Sequence, residues 1–229
     1  KRTPARRHYT LAFSKIESPA LLKSSMKRWR PASVRGCLKS CSITLNAIAA
    51  LTRTNPDQAH DTLVGFAEFF RETLRSHGDL WTLDDELQYI RRYVALQSLR
   101  LGERLRAEYH VKPGVSRILV PVLALQALVE NAIIHGIEPK VGGGLVVVSA
   151  RRADGVVTLA VEDDGVGIPP DRLAQVIEPG YGTGLGIGLS NVDRRMRGLY
   201  GPGFGLHIAS EPGRGTRVVA RIPADQRAP

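Results

Sequence analysis

The chain has little cysteine, and what it has is poorly placed for structural chemistry. Cys37 and Cys41 stand four positions apart with no second pair and no well-spaced histidine pair. A zinc site or a disulfide framework is therefore not expected, and a reducing compartment fits. Long apolar stretches are missing as well. The longest, residues 118–129, runs for 12 positions and is broken by Pro121 and Gln126, well short of the ~20 residues that span a bilayer. No Gly-Lys dipeptide occurs anywhere, which excludes the phosphate loop that depends on one. A protein-kinase catalytic loop is equally absent from the sequence, and no internal repeat suggests a solenoid.

Acidic residues are scarce in one region only. Residues 1–45 carry 11 Lys or Arg against the single acid Glu17, whereas residues 46–229 carry 21 of each sign. The formal net charge of +10 thus belongs to one end, and it is not the footprint of a basic nucleic-acid surface spread over a fold. Residues 1–44, rich in Lys, Arg, Ser and Pro without helical or strand periodicity, are expected to form a disordered solvated tail with no nucleic-acid partner. The remainder, within a chain of 229 residues that is 43% hydrophobic, is sufficient for an ordinary core.

From Leu45 a period of 3.6 sets in. Leu45, Ile48, Ala49 and Leu51 share a face, Asn55-Pro56 interrupts it, and Leu63, Phe66, Ala67, Phe70 and Leu74 form the stripe of a second helix over 56–76. His77-Gly78 is expected to end it. Thr82 with Asp85 has the spacing of a capping box, and Leu87, Ile90, Val94 and Leu99 follow on the next helix. Residues 45–104 therefore predict a helical hairpin whose apolar stripe needs a partner, most simply a second copy in a four-helix bundle, hence a homodimer. Beyond Leu105 strands and helices alternate: strands at 105–111, 145–151, 156–161, 205–210 and 217–222, helices at 120–134, 170–177 and 188–199. The predicted class is α+β, with the hairpin followed over 105–225 by an α/β sandwich on a mixed sheet.

Three segments carry the chemistry. Residues 128–136 (LVENAIIHG) place Glu130 and Asn131 side by side on an apolar helix, where a carboxylate can orient water and an amide oxygen can ligate a hard cation such as Mg²⁺. Residues 162–169 (EDDGVGIP) end a strand in Asp163, able to accept a hydrogen bond from an exocyclic amine such as that of adenine, while Gly165 and Gly167 let the backbone approach a flat ligand. Residues 182–192 (GTGLGIGLSNV) form a glycine-rich turn into a helix, where unpaired N–H groups and the helix dipole favour phosphate. The glycine loop is not a dinucleotide fingerprint, because that pattern requires glycine at position 189, which is Leu189, and a strand immediately before it. Each segment alone has a bland explanation, a solvated polar pair or an Asp-Gly turn; the three in order describe a nucleotide pocket.

This order resembles the ATPase fold of sensor histidine kinases, HSP90, DNA gyrase and MutL, over roughly residues 115–223. Within that superfamily the chain is similar to sensor histidine kinases of the LytS and YehU type, through residues 190–201 (SNVDRRMRGLYG), GRGTRV at 213–218, and upstream LNAIAAL, FAEFFRETLRS and TLDDELQYIRRYVALQSLRLGERL. The resemblance implies ATP and Mg²⁺ as cofactors and phosphoryl transfer from ATP to histidine and on to a response regulator. It implies that Asp163 holds the adenine amine with help from Thr216 through water, that Gly165 and Gly167 shape the adenine end, that Asn131 ligates Mg²⁺, and that Glu130 is the polarising base. Gly184, Gly186 and Gly188 would wrap the phosphates with Leu189 and Asn191 behind them, under a mobile lid at 169–183. Where the family commonly has Lys or Arg three residues after the metal ligand the chain has Ile134, and His135 would compensate in part for the phosphate charge. The place of the family's phosphoacceptor histidine is Lys39, and neither His60 nor His77 fits that role. A pseudokinase that binds nucleotide and signals without autophosphorylation is therefore the alternative. With two poorly spaced cysteines and no long apolar run, a cytoplasmic setting is expected, or the cytoplasmic face of a membrane where a sensor segment lies upstream.

Overall fold

A computed structural model describes residues 45, 48–75, 80–173, 175–176 and 188–225. The basic tail, with Lys39 and both cysteines, lies outside these residues, as do the helix end expected at His77-Gly78 and most of the expected lid.

Residues 48–54 are helical, and α1 follows as Pro56–Arg75. Asn55 marks the junction: its Oδ1 accepts from the Gln58 N–H at 3.2 Å, and Pro56 takes the first helical position, where its missing N–H costs nothing. A short strand, β1 (Leu80–Thr82), leads into α2 (Leu83–Leu101). The capping box forms as its spacing requires. Thr82 Oγ1 accepts from the Asp85 N–H, and the Asp85 carboxylate accepts from the Thr82 N–H, both at 3.2 Å. At the other end Gly102, with φ +59°, closes the helix by donating to the Ser98 carbonyl.

The sheet that follows is β2 (Leu105–Val111), β4 (Gly144–Ala153), β5 (Val156–Asp163), β7 (Gly215–Pro223) and β6 (Gly205–Glu211), adjacent in that order. β2 lies parallel to β4 and every other pair is antiparallel, so the sheet is mixed, as expected. The β4–β5 turn is dictated by its residues: Asp154 and Gly155 both take positive φ, 50° and 71°, the backbone of the tight hairpin that Asp-Gly favours. A separate two-stranded ribbon pairs β1 with β3 (Leu119–Pro121). Sequence reading assigned residue 120 onward to a helix, but α3 begins only at Ala124 (Ala124–Asn131). The strand signal was hidden by Pro121, which sits at the end of an edge strand where its lack of an N–H is harmless. Beyond Asn131 the helix widens into a π-type segment, Ala132–Ile137. A short α4 (Pro170–Leu173) and α5 (Leu189–Tyr200) complete the elements.

One face of the sheet supplies Val146, Val148, Val157, Leu159, Val161, Val218, Ala220 and Ile222 to a single core, shared with α3, α5 and α2. The part played by α2 is a finding that periodicity alone did not give. Leu83, Tyr89, Ile90 and Tyr93 are buried at 0–1% exposure, and Leu87 and Val94 are buried too. Of the stripe expected to meet a second copy, only Leu99, 39% exposed, is left open. On α1, by contrast, Leu63 and Val64 are 47% and 44% exposed. Two polar anchors fix α5 to the rest: Asp193 accepts from the Leu206 N–H at 2.8 Å and pairs with Arg197 at 2.7 Å, and the Tyr200 hydroxyl donates to the Leu119 carbonyl at 3.0 Å.

Candidate nucleotide site

Asp163 is the last residue of β5 and stands in register between Val146 of β4 and Thr216 of β7. Its carboxylate is held by the backbone, with Oδ1 accepting from the Gly165 N–H at 2.9 Å. Half-burial pushes its carboxyl up from 3.8 to about 6, against the N–H groups of Gly165 and Thr216 and the Lys140 charge, while neighbouring Asp164 adds to the rise. A half-buried carboxylate facing an open hollow can accept a hydrogen bond from a donor that enters it.

The cradle around it is made of missing side chains. A Cβ on Gly136 would stand 2.4 Å from Asp163 Oδ1, and one on Gly165 would stand 2.3 Å from the Gly136 carbonyl carbon. Gly167 has φ +70° and lies against the Glu211 carbonyl, where a Cβ would come within 2.1 Å. Hydrogen bonds from the Val166 N–H to the Gly136 carbonyl, 3.1 Å, and from the Gly213 N–H to the Val166 carbonyl, 2.8 Å, lace the same loop to the helix end and to the β6–β7 turn. Gly165 and Gly167 thus make close approaches to the protein's own backbone, at Gly136 and Glu211, whereas the sequence led to an expected approach to a flat ligand. Gly136 and Gly215, whose Cβ would lie 1.9 Å from the Asp163 carbonyl oxygen, were missed. For Gly136 a signal existed: an isolated glycine in a helical pattern usually has a packing reason.

Thr216 faces Asp163 across β5 and β7, and its hydroxyl is 2.9 Å from Ser210 Oγ. Ser210 also receives the Ile168 N–H at 2.8 Å and donates to the Gly215 carbonyl at 2.8 Å, so it is the hub of this corner, unmarked in sequence. An open hollow of about 370 Å³ is lined by Asp163, Ser210, Gly215 and Thr216 together with Glu162 and Arg217. Glu130 and Asn131 are not part of its lining.

Those two occupy the end of α3, and successive residues on a helix point about 100° apart. Glu130 is 7% exposed, while Asn131 is half-buried. The Asn131 amide nitrogen donates to the Ala127 carbonyl at 2.6 Å, which leaves its oxygen as the end suited to a cation. His135 is exposed on the π-type segment, about one turn beyond Asn131. Lys140, also unmarked by sequence, donates to the Asp164 carbonyl at 2.5 Å and lies 3.3 Å from its carboxylate. Gly188 directly precedes α5 and Leu189, its first residue, is buried. Gly184 and Gly186 lie outside the described residues.

Comparisons with known proteins show the family. The family model described as histidine kinase-, DNA gyrase B-, and HSP90-like ATPase matches residues 119–226, and the histidine kinase model matches residues 43–105. In fold, the structure is similar to the nucleotide-free catalytic domain of the histidine kinase ThkA, with TM-score 0.51 at 14% identity, over 63% of this chain and 96% of that one. A helical histidine-kinase segment followed by an ATPase domain of this class is therefore what the fold and site define. In sequence the chain is 34% identical to the sensor protein LytS of Staphylococcus haemolyticus over 79% of its length, and 37% identical to the sensor histidine kinase YpdA of Escherichia coli over 81%. The chain belongs to the LytS-type sensor histidine kinases and holds their ATP-binding catalytic region. It spans 31–32% of the length of these relatives.

Proposed function

We propose that this chain binds ATP with Mg²⁺ and serves as the catalytic region of a two-component sensor kinase, passing a phosphoryl group from ATP to histidine and on to a response regulator. The observation that carries the reading is the half-buried Asp163 carboxylate, raised to about 6 and seated against Gly136 and Gly165 with no room for another side chain. Such a site recognises a planar group with an amine donor, which adenine supplies.

The donor set fits the cation as well. Asn131 presents a neutral amide oxygen of the kind Mg²⁺ accepts alongside phosphate oxygens and water. Bound Mg²⁺ would neutralise phosphate charge. Glu130 is the carboxylate proposed to orient the attacking group, with His135 beside the phosphates and Gly184, Gly186, Gly188 and Leu189 proposed to enclose them at the α5 N-terminus. Thr216 and Ser210 orient the adenine end behind Asp163.

The exposed Leu63 and Val64 on α1 support a homodimer through that helix. A cytoplasmic setting, with any membrane contact through a sensor region, is the reading that the sparse, unpaired cysteines support. Among the described residues no helix is long and apolar enough to cross a membrane.

Lys39, at the place of the phosphoacceptor, favours a second reading in which the chain binds nucleotide and signals without labelling itself. Protonated lysine has no free lone pair for attack at phosphorus. The deciding experiment is calorimetric titration with Mg·ATP, native against Asp163→Asn, followed by incubation with γ-labelled ATP. Equal affinities would remove the pocket. Acid-labile label would select the first reading, and binding without label the second.

A further inference from the structure

Glu86 is a charged residue with no solvent exposure, placed far along the sequence from every motif of the nucleotide site. It stands in the first turn of α2, and its carboxylate reaches across to the start of α3. Oε1 accepts from the Leu123 N–H in a short hydrogen bond and Oε2 from the Leu125 N–H at 3.0 Å, with the Gln126 N–H also directed at it. These are the donors that a helix N-terminus leaves unpaired. α3 has no capping side chain of its own; its N-cap residue, Leu123, sits in left-handed backbone with φ +62°, a conformation that leucine rarely adopts. Burial pushes the Glu86 carboxyl up to about 7, so the fold tolerates an unfavourable group here in return for the three N–H contacts and the nearby positive charge of Arg195.

Arg195 brings in a third element. It lies on α5, the helix that follows the glycine loop, and its guanidinium donates to the Val122 carbonyl at 2.8 Å, just before α3. α2 also grips the far end of the same helical run. Arg100, about four turns beyond Glu86, holds Glu138 through two hydrogen bonds of 2.6 and 3.0 Å, immediately after the π-type segment. The helix carrying Glu130 and Asn131 is therefore held at its start by Glu86 and past its end by Arg100, both from the helix that closes the histidine-kinase segment.

We propose that Glu86 is a positioning residue of the nucleotide site, a cap supplied from α2 of the same chain that sets where α3 places Asn131 and joins the helical segment to the metal end of the pocket. This rests on the ATP reading given above, and it makes a separable claim. Asp163 lies on β5, and the far end of the helical run, where Gly136 meets it, is held separately by the Arg100–Glu138 pair, so loosening the cap at the start of α3 falls on the metal end more than on the adenine end.

The experiment is calorimetry on the full chain with Mg·ATP, with ATP in EDTA and with adenosine, comparing native protein and Glu86→Gln, alongside thermal melts. The expected result is a loss of roughly 3- to 30-fold in Mg·ATP affinity, the range a lost N-cap spans, with adenosine affinity unchanged. Equal Mg·ATP affinity in the two proteins, or an equal loss for adenosine and Mg·ATP, overturns the proposal. Failure of the native protein to bind any of the three removes the ATP reading itself, and this inference with it. Where Glu86→Gln does not fold, amide exchange on the native chain decides. The Leu123, Leu125 and Gln126 N–H groups should gain protection on adding Mg·ATP and not on adding adenosine, and unchanged protection overturns the assignment.

Discussion

Gly136 and Asp163 approach so closely that a single methyl group cannot fit between them: a Cβ on the glycine would lie 2.4 Å from Oδ1 and 2.7 Å from Cγ. The carboxylate cannot easily give way, because the Gly165 N–H holds it at 2.9 Å. Gly136→Ala should therefore displace the side chain on which adenine recognition is proposed to depend. The substitution improves local helix propensity, and overpacking of this kind costs about 1–3 kcal/mol. The expected outcome is ATP affinity reduced about tenfold or more with a change in melting temperature of only a few degrees, read by calorimetry and thermal melts on the same preparation.

The raised pKa of Asp163 makes a prediction with a definite sign. The folded state binds this proton more tightly than the unfolded chain does, since the value rises from 3.8 to about 6. The group is thus least harmful below about pH 4, and stability falls as pH climbs through 4 to 6. Asp163→Asn removes the ionised form, so at pH 7 the variant should melt above the native protein, and the gap should close by pH 4. Binding runs the other way. Adenosine, which carries no phosphate to titrate in this range, should bind the native protein more weakly as pH falls from 7 to 5. A variant that melts lower than native at pH 7 would show that the carboxylate is not held against its own solvation.

Much of the candidate site could be proposed from sequence because its residues are neighbours in the chain. Asp163-Asp164-Gly165 and the Glu130-Asn131 pair are contiguous, and their glycines and polar atoms are what suggest close approach and ligation. The capping box at Thr82 and the Asp154-Gly155 turn are local too, and both form as their residues require. What sequence did not disclose depends on distant partners. Gly136 matters only because β5 ends against it, and Ser210 only because β6 and β7 bring it beside Thr216. The face of α2 shows the same limit. Its period of 3.6 said that one side is buried, but a stripe of Leu, Ile and Val fits the helices and sheet of the same chain as well as a second copy, and Leu87, Ile90 and Val94 lie in the one core with α3 and the sheet.

Arg100 and Glu138 offer a measurable link between α2 and the end of the π-type segment. Their two hydrogen bonds, 2.6 and 3.0 Å, form the fork geometry that lysine cannot reproduce, and both side chains are partly shielded, at 23% and 37% exposure. Arg100→Lys should cost about 1 kcal/mol, at the upper end of what an exposed pair contributes. A double-mutant cycle with Glu138→Gln, measured by urea denaturation, should return a coupling of at least about 0.5 kcal/mol. Additive losses would mean that the pair holds nothing together.

The burial of α2 leads to the last prediction, which concerns where the folding unit begins. Ile90 has no solvent exposure and shares one core with Val146, Leu159 and Ile222 of the sheet. Ile90→Ala leaves a cavity in that core, at a cost of about 2–5 kcal/mol, a large share of the 5–15 kcal/mol that holds a domain folded. If α2 were part of a free-standing helical hairpin, the loss would appear in the helical transition alone. Because α2 shares the core of the ATPase domain, the loss should instead lower the stability of the sheet, followed through amide exchange of the β4 and β5 N–H groups. Truncation gives a sharper form of the same test. A chain starting at Leu80 should unfold cooperatively with bound-nucleotide stabilisation intact, whereas one starting at Leu105 removes Leu83, Tyr89, Ile90 and Tyr93 from the core at once, together with the Glu86 cap. That shorter chain should bind a hydrophobic dye and show no cooperative melt; a sharp two-state transition from it would place the boundary after α2.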